Sequence, residues 1–325
     1  MSEVKFGAFV PQGWRMDLLD VKDPIDKYET MSRCAKEAET AGYDSIWVYD
    51  HFHTVPTPEI EATFECWSSI AALARDTSTV KLGQLVTCNS YRPPALLAKM
   101  TSCIDVLSRG RLIVGIGGGW YQHEYEAYGY PYGDTPERLR MLGEAVQVLK
   151  AMWTQERAEF EGRYYQVRGA INEPKPVQRP HPPLWIGGGG ERVTLKLVAR
   201  YGDACNFGGD HETLKHKLEV LRRHCEAAGT DYDRIVKSSE LHVIVGDDAE
   251  VARVVRDTAR RTGQDIEAAR SQFEPFVGPP EKIAEAIQGI VDVGFQYMVV
   301  HLPNMAEGGV IQRFAEDVIP LVRPA

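Results

Sequence analysis

The chain has 325 residues, 43% of them hydrophobic, with 29 Gly and 19 Pro, the balance of a folded globular protein rather than of a disordered or collagen-like one. Its 37 Lys and Arg against 46 Asp and Glu give a net charge of −9, the wrong sign for a general nucleic-acid partner. With no run of about 18 apolar residues and no leader-like pattern at Met1–Val10, it reads as soluble and cytoplasmic, without a membrane partner.

Short β-branched runs alternate with amphipathic stretches along the whole chain. Strands are predicted at Lys5–Val10, Ser45–Tyr49, Lys81–Val86, Leu112–Ile116, Pro183–Ile186, Asp203–Phe207, Ser239–Val245 and Gln296–Leu302. Helices are predicted over Ile25–Ala41, Trp67–Thr77, Ala95–Leu107, Pro136–Trp153, Arg192–Tyr201, His211–Ala228, Ala249–Thr262 and Pro280–Val293, with a last one near Val310–Leu321. Eight near-continuous apolar strands separated by helices fit a single closed (β/α)8 TIM barrel better than an open doubly wound sheet. Arg157–Pro183 breaks the alternation with a hairpin-like Phe160–Tyr165 segment and a Pro-rich connection. Gln264–Gly278 is a second interruption, and both read as insertions in one domain. The cysteines at 34, 66, 88, 103, 205 and 225 are scattered, with no Cys-x-x-Cys pair, and read as reduced, mostly buried thiols.

In barrels of this kind chemistry sits after the C-terminal ends of the strands. The second run is followed by Asp50-His51-Phe52-His53. An Asp can orient a neighbouring imidazole, and His is the side chain best suited to move a proton near neutral pH; the plainer reading is two loop residues satisfied by backbone groups. His51 and His53 form a His-x-His pair, but a metal needs further ligands at suitable spacing, and none is expected. After the third run, Thr87-Cys88-Asn89-Ser90-Tyr91-Arg92-Pro93-Pro94 turns into a helix, with Arg92 a solvated charge or an anion clamp. The fourth ends in Gly115-Ile116-Gly117-Gly118-Gly119-Trp120-Tyr121-Gln122-His123-Glu124, whose glycines would let backbone approach a flat ligand, or turn with φ above zero, without side-chain clash. As a dinucleotide fingerprint this stretch fails, because its third Gly is displaced. The fifth ends in Gly187-Gly188-Gly189-Gly190 and reads as passing directly into a helix. Successive N–H groups at a helix start form a phosphate site; a flexible turn is the alternative.

Taken in order, these stretches resemble the bacterial luciferase-like superfamily, and within it the oxidoreductases that use the deazaflavin F420. The resemblance runs through Ala41–Val48 with Asp50-His51, Leu82–Thr87 with Arg92–Ala95, and Asp105–Leu112. It continues through Gly115–Trp120 with Glu124 and Tyr128-Gly129, Pro182–Gly189, and Ala199–Ala204. It implies a tricyclic cofactor across the strand ends, with its phosphate at Gly187, Gly188, Gly189 and Gly190. It carries Asp50 and His51 over as cofactor and proton-transfer residues, and puts a cis non-proline peptide at Leu85–Val86. Thr87, Gly117, Gly118 and Trp120 match positions near the cofactor, and Glu124 matches a recurrent acidic position. Trp120 stands where some F420 dehydrogenases carry an acidic residue, which argues against their sugar-phosphate activity.

The activity so implied is hydride transfer between F420 and a small organic substrate, an alcohol/carbonyl pair or an activated alkene. His51, oriented by Asp50, would exchange the accompanying proton. FMN-dependent monooxygenases, which use oxygen and a separate flavin reductase, share the barrel and are the alternative. Against the net charge, the polyglutamate tail of F420 would need a basic strip from Arg92, Lys175, Arg179, Arg192 or Lys196. Family likeness also implies a homodimer. The substrate pocket is expected among the Arg157–Pro183 insertion, the Phe52–Thr63 loop, Trp14, Trp120 and Tyr121. A barrel reused without chemistry is a third reading, against which the retention of Asp50, His51, Thr87 and both glycine runs argues.

Overall fold

The computed structural model describes residues 3–324; Met1 and Ser2 of the N-terminal stretch read above lie outside them. Eight parallel strands follow one another along the chain: β1 (Lys5–Phe9), β2 (Ser45–Val48), β3 (Lys81–Gln84, resuming at Thr87–Cys88), β4 (Leu112–Gly117), β5 (Leu184–Gly187), β6 (Ala204–Asn206), β7 (Val236–His242) and β8 (Tyr297–His301). Their hydrogen-bonded order is β3-β2-β1-β8-β7-β6-β5-β4, and β4 pairs again with β3, so no edge is left. This is the (β/α)8 barrel that the alternation predicts.

The third strand stops at Gln84, short of the predicted Val86, and the cis peptide that the resemblance implies follows directly. The Leu85–Val86 peptide is cis, and β3 pairs with β4 on either side of it, at Leu82↔Leu112 and Gly83↔Ile113, then at Thr87↔Ile116 and Cys88↔Gly117. Between these pairs three residues on β3 (84–86) thus oppose two on β4 (114 and 115), the signature of a β-bulge. The last predicted helix also stops early, at Asp317, and continues as a 3-10 turn at Ile319–Leu321. Pro320 has no N–H to extend the helical ladder.

The described chain divides into two compact units. One takes in residues up to Glu65, Phe207–Lys215 and everything from Val236 on, and so holds β1, β2, β7 and β8. Within it Gln264–Gly278 forms a short helix, Ile266–Ser271, and a strand, Val277–Gly278, paired with Ile244–Val245. Ile244, Val251, Val254, Val255, Phe273 and Val277 form a buried cluster there.

The other unit, Cys66–Asn206 and His216–Ile235, holds β3 to β6. The segment around Phe160–Tyr165 is a hairpin, Ala158–Glu161 pairing antiparallel with Gln166–Ala170. Its turn is tied down by Glu144, whose carboxylate accepts from Arg163 N, Tyr164 N and Tyr165 N at 2.9, 2.8 and 3.0 Å.

Candidate active site

In the first unit the loop after β2 is clamped to the loop after β1. Gln12 Oε1 accepts from Tyr49 N at 2.8 Å, and Gln12 Nε2 donates to Tyr49 O at 2.8 Å and to Phe64 O at 2.5 Å. This places Asp50 and His51 just past the strand end, 1% and 9% exposed. The His51 ring lies flat on Trp14, centroids 4.2 Å apart and planes 2° from parallel. Trp14 in turn contacts Tyr49 at 4.3 Å and carries Arg15 Cζ 4.8 Å from its centroid. The imidazole orientation is therefore set by packing against Trp14.

Behind this layer lies a polar network. Tyr49 Oη donates to Glu240 Oε1 at 2.7 Å and His242 Nε2 donates to the same oxygen at 2.9 Å. Burial and the facing Glu240 carboxylate push the Tyr49 phenol well above its usual range, so it stays a donor. Burial and the Arg15 charge lower His242. Burial alone would raise Glu240, but its hydrogen bond from His242 and the Arg15 charge hold it below the usual carboxylate range.

In the second unit the cis peptide carries Val86 against the ends of β4 and β5. A Cβ on Gly117 would stand 2.7 Å from Val86 Cγ2, and one on Gly187 2.8 Å from Val86 Cγ1. Both glycines are thus required by the Val86 side chain, where a flat ligand or a turn at positive φ was expected of the first. Next to the bulge Thr87 is fully buried, and its Oγ1 has no hydrogen-bond partner among the described residues.

The glycine run does not pass directly into a helix, as predicted. The strand ends at Gly187 and the next helix spans Thr194–Tyr201, because Gly190 O accepts from Leu195 N only after an intervening turn. Gly188, at φ +112°, starts that turn. Lys217 Nζ donates to Gly189 O at 2.6 Å, and a Cβ on Gly190 would lie 2.9 Å from Thr194 Oγ1. Bare backbone ringed by an ammonium and a hydroxyl suits a phosphate group.

Trp120 and Glu124, predicted together, point to different surroundings. Trp120 is 60% exposed and stacks on Tyr121 at 5.1 Å. Glu124 is fully buried and accepts from Tyr91 Oη at 2.5 Å. Of the proposed basic strip, Lys175 donates to the carbonyls of Met152 and Gln155, and Arg179 to that of Pro176. Arg192 and Lys196 are exposed close to the glycine run.

The sequence profile of the luciferase-like monooxygenase family matches residues 4–297. The chain belongs to that family. Among relatives it is 31% identical over 317 residues to an F420-dependent glucose-6-phosphate dehydrogenase of Kineococcus radiotolerans, covering 89% of this chain and 92% of that one. It is 28% identical over 263 residues to an FMNH2-dependent dimethylsulfone monooxygenase of Pseudomonas putida, covering 71% of each. The structure of an F420-dependent secondary alcohol dehydrogenase in complex with an F420-acetone adduct matches with a TM-score of 0.79 at 22% identity, covering 99% and 100% of the two chains.

As a luciferase-like enzyme the protein is an oxidoreductase. Sequence reasoning missed several residues around its candidate site. Lys217 lies 28 positions beyond its partner Gly189, on a helix whose many charges made it one cation among several. Arg15 and Glu240 carried no motif. His242 and His301 carried none either, and their place at the ends of β7 and β8, paired in register, was the signal available.

Proposed function

We propose that this luciferase-like enzyme binds F420 and transfers a hydride between it and a small organic substrate, an alcohol/carbonyl pair or an activated alkene. The observation that carries the reading is the end-to-end likeness to F420-dependent dehydrogenases together with Asp50-His51 at the end of β2. The residues present fit the group. A glycine backbone beside Lys217 and Thr194 suits its phosphate, and the buried Thr87 hydroxyl has hydrogen-bonding capacity to spare.

Bound F420 supplies a ring carbon that takes up or releases hydride. The N–H groups of Gly189 and Gly190 would hold the phosphate, since that of Gly188 already donates to Asn206 O at 2.9 Å, and Lys217 would supply positive charge. Leu85, Val86, Thr87 and Asp50 would contact the ring system, and Gly117, Gly118 and Gly187 would let Val86 and the backbone reach it. Glu124 would serve through Tyr91 by holding the loop that ends in Trp120. His51, kept flat by Trp14, would hold or take the proton at a ring nitrogen. We further propose a cytoplasmic homodimer, with no metal.

A paired fluorescence titration of the purified protein with F420 and FMN tests the cofactor. Tight F420 binding with weak FMN binding is expected. The reverse would make oxygen-dependent monooxygenation with a partner flavin reductase the better reading, as the Pseudomonas relative's name suggests. His51→Asn should lower kcat about 10²-fold or more while F420 affinity stays nearly unchanged; unchanged turnover would remove His51 from proton transfer.

A further inference from the structure

His301, the last residue of β8, is 3% exposed, and neither ring nitrogen has a hydrogen-bond partner among the described residues. It lines a cavity of about 100 Å³ with Arg15, Asp17, Thr258, Arg261 and Gln272. Arg15 Nε is also buried without a hydrogen-bond partner among the described residues. Buried polar groups are nearly always satisfied, so two such side chains on one small cavity of mixed lining point to a ligand.

Charge decides its kind. Arg15 Nη2 lies 3.9 Å from the Glu240 carboxylate and 3.3 Å from His242 Nε2. Burial raises the Asp17 carboxyl, opposed by its hydrogen bond from Gly13 N at 2.6 Å and then by the charges of Arg261 and Arg15. Two guanidiniums facing two carboxylates leave no surplus charge for an ionic ligand. Burial, then the charges of Arg15, His242 and Arg261, keep the imidazole of His301 neutral by pushing its pKa well below the usual value. A neutral imidazole offers one N–H donor and one lone pair. The group that answers both is uncharged and both gives and accepts a hydrogen bond, which describes a hydroxyl.

The cavity is near the proton-transfer residue. Trp14, stacked on His51, has Arg15 over its ring, and Arg15 lines the cavity. We propose that this cavity takes a hydroxyl of the substrate other than the one that reacts, so that the substrate class is a diol or hydroxyketone. The inference rests on the F420 reading, and its test separates the two.

Protein labelled with 15N-histidine, with and without F420, is titrated with propane-1,2-diol, propan-2-ol and acetate, and His301→Phe identifies the ring signals. The diol is expected to shift the His301 nitrogens saturably, at concentrations at least tenfold below those at which propan-2-ol acts. In steady-state assays His301→Phe should reduce the diol-to-propan-2-ol ratio of kcat/KM at least tenfold, His301→Gln should restore part of it, and F420 affinity should not change. Equal response to propan-2-ol, response to acetate, or none at all, as for a cavity holding water only, overturns the proposal. If F420 fails to bind while the diol still shifts His301, the cofactor reading fails and the hydroxyl site stands.

Discussion

Val86 occupies the space that side chains at positions 117 and 187 would need, with the hypothetical Cβ atoms 2.7 and 2.8 Å from its methyl groups. That is well inside the carbon–carbon contact distance of about 3.5–4.0 Å. Gly187→Ala should therefore destabilise the protein by about 1–3 kcal/mol as an overpacked site. Val86→Ala in the same chain should recover at least half of that loss. A double-mutant cycle by urea unfolding measures the coupling, and additive effects would show that Val86 is not the obstacle. The glycines were legible in the sequence, but the reason for them was not. The chain shows where Cβ atoms are missing and cannot show which neighbour arrives, here from 31 positions upstream of Gly117 and 101 upstream of Gly187. His51 presents the same contrast: its type and strand-end position were readable, whereas its parallel stack on Trp14 depends on the loop after β1 folding over it.

At the scale of elements, the insertion between β4 and β5 illustrates how a segment without a core of its own is docked. The hairpin was foreseeable from its turn residues, but its attachment was not. Asp105, on the helix Pro94–Leu107, is fully buried and accepts from Val177 N, Gln178 N and Gln178 Nε2 at 2.8, 3.0 and 2.7 Å. Its carboxylate holds the Pro-rich connection that leads into β5. Asp105→Ala leaves these donors without that acceptor and should cost about 2–4 kcal/mol, with Asp105→Asn less damaging because one oxygen remains. Faster limited proteolysis across 171–183 and a lowered Tm would confirm the role, and an unchanged cleavage rate would refute it. In the sequence Asp105 looked like an ordinary helix residue, since hydrogen bonds to a segment 72 positions away leave no periodic trace.

For the whole molecule, the buried histidines couple folding to pH. The folded state holds His301 neutral, its pKa far below the value of about 6.5 that the unfolded chain would show. Below that pH the unfolded state takes up a proton that the folded state refuses, so stability falls as the solution is acidified. His301 adds at most about 1.4 kcal/mol per pH unit to that slope, and His242, lowered in the same direction, adds a share. His301→Phe should flatten the dependence of unfolding free energy between about pH 6 and 5 by close to one proton. Equal slopes in the two proteins would mean that His301 titrates normally. Within the same unit Arg15 meets His242 across 227 positions, and His242 lies beside His301 because β7 and β8 pair in that register. The order of strands and helices, the family and the position of Asp50-His51 were all determined by the sequence alone, because periodicity, turn chemistry and strand-end motifs are local properties. The cis peptide at Leu85–Val86 was implied by the family resemblance, and only the tertiary structure decided the seat of Val86, the Lys217 contact and the His301 cavity. Each of these depends on which side chains strand register and loop packing bring face to face, and that is a property of pairs far apart in the chain.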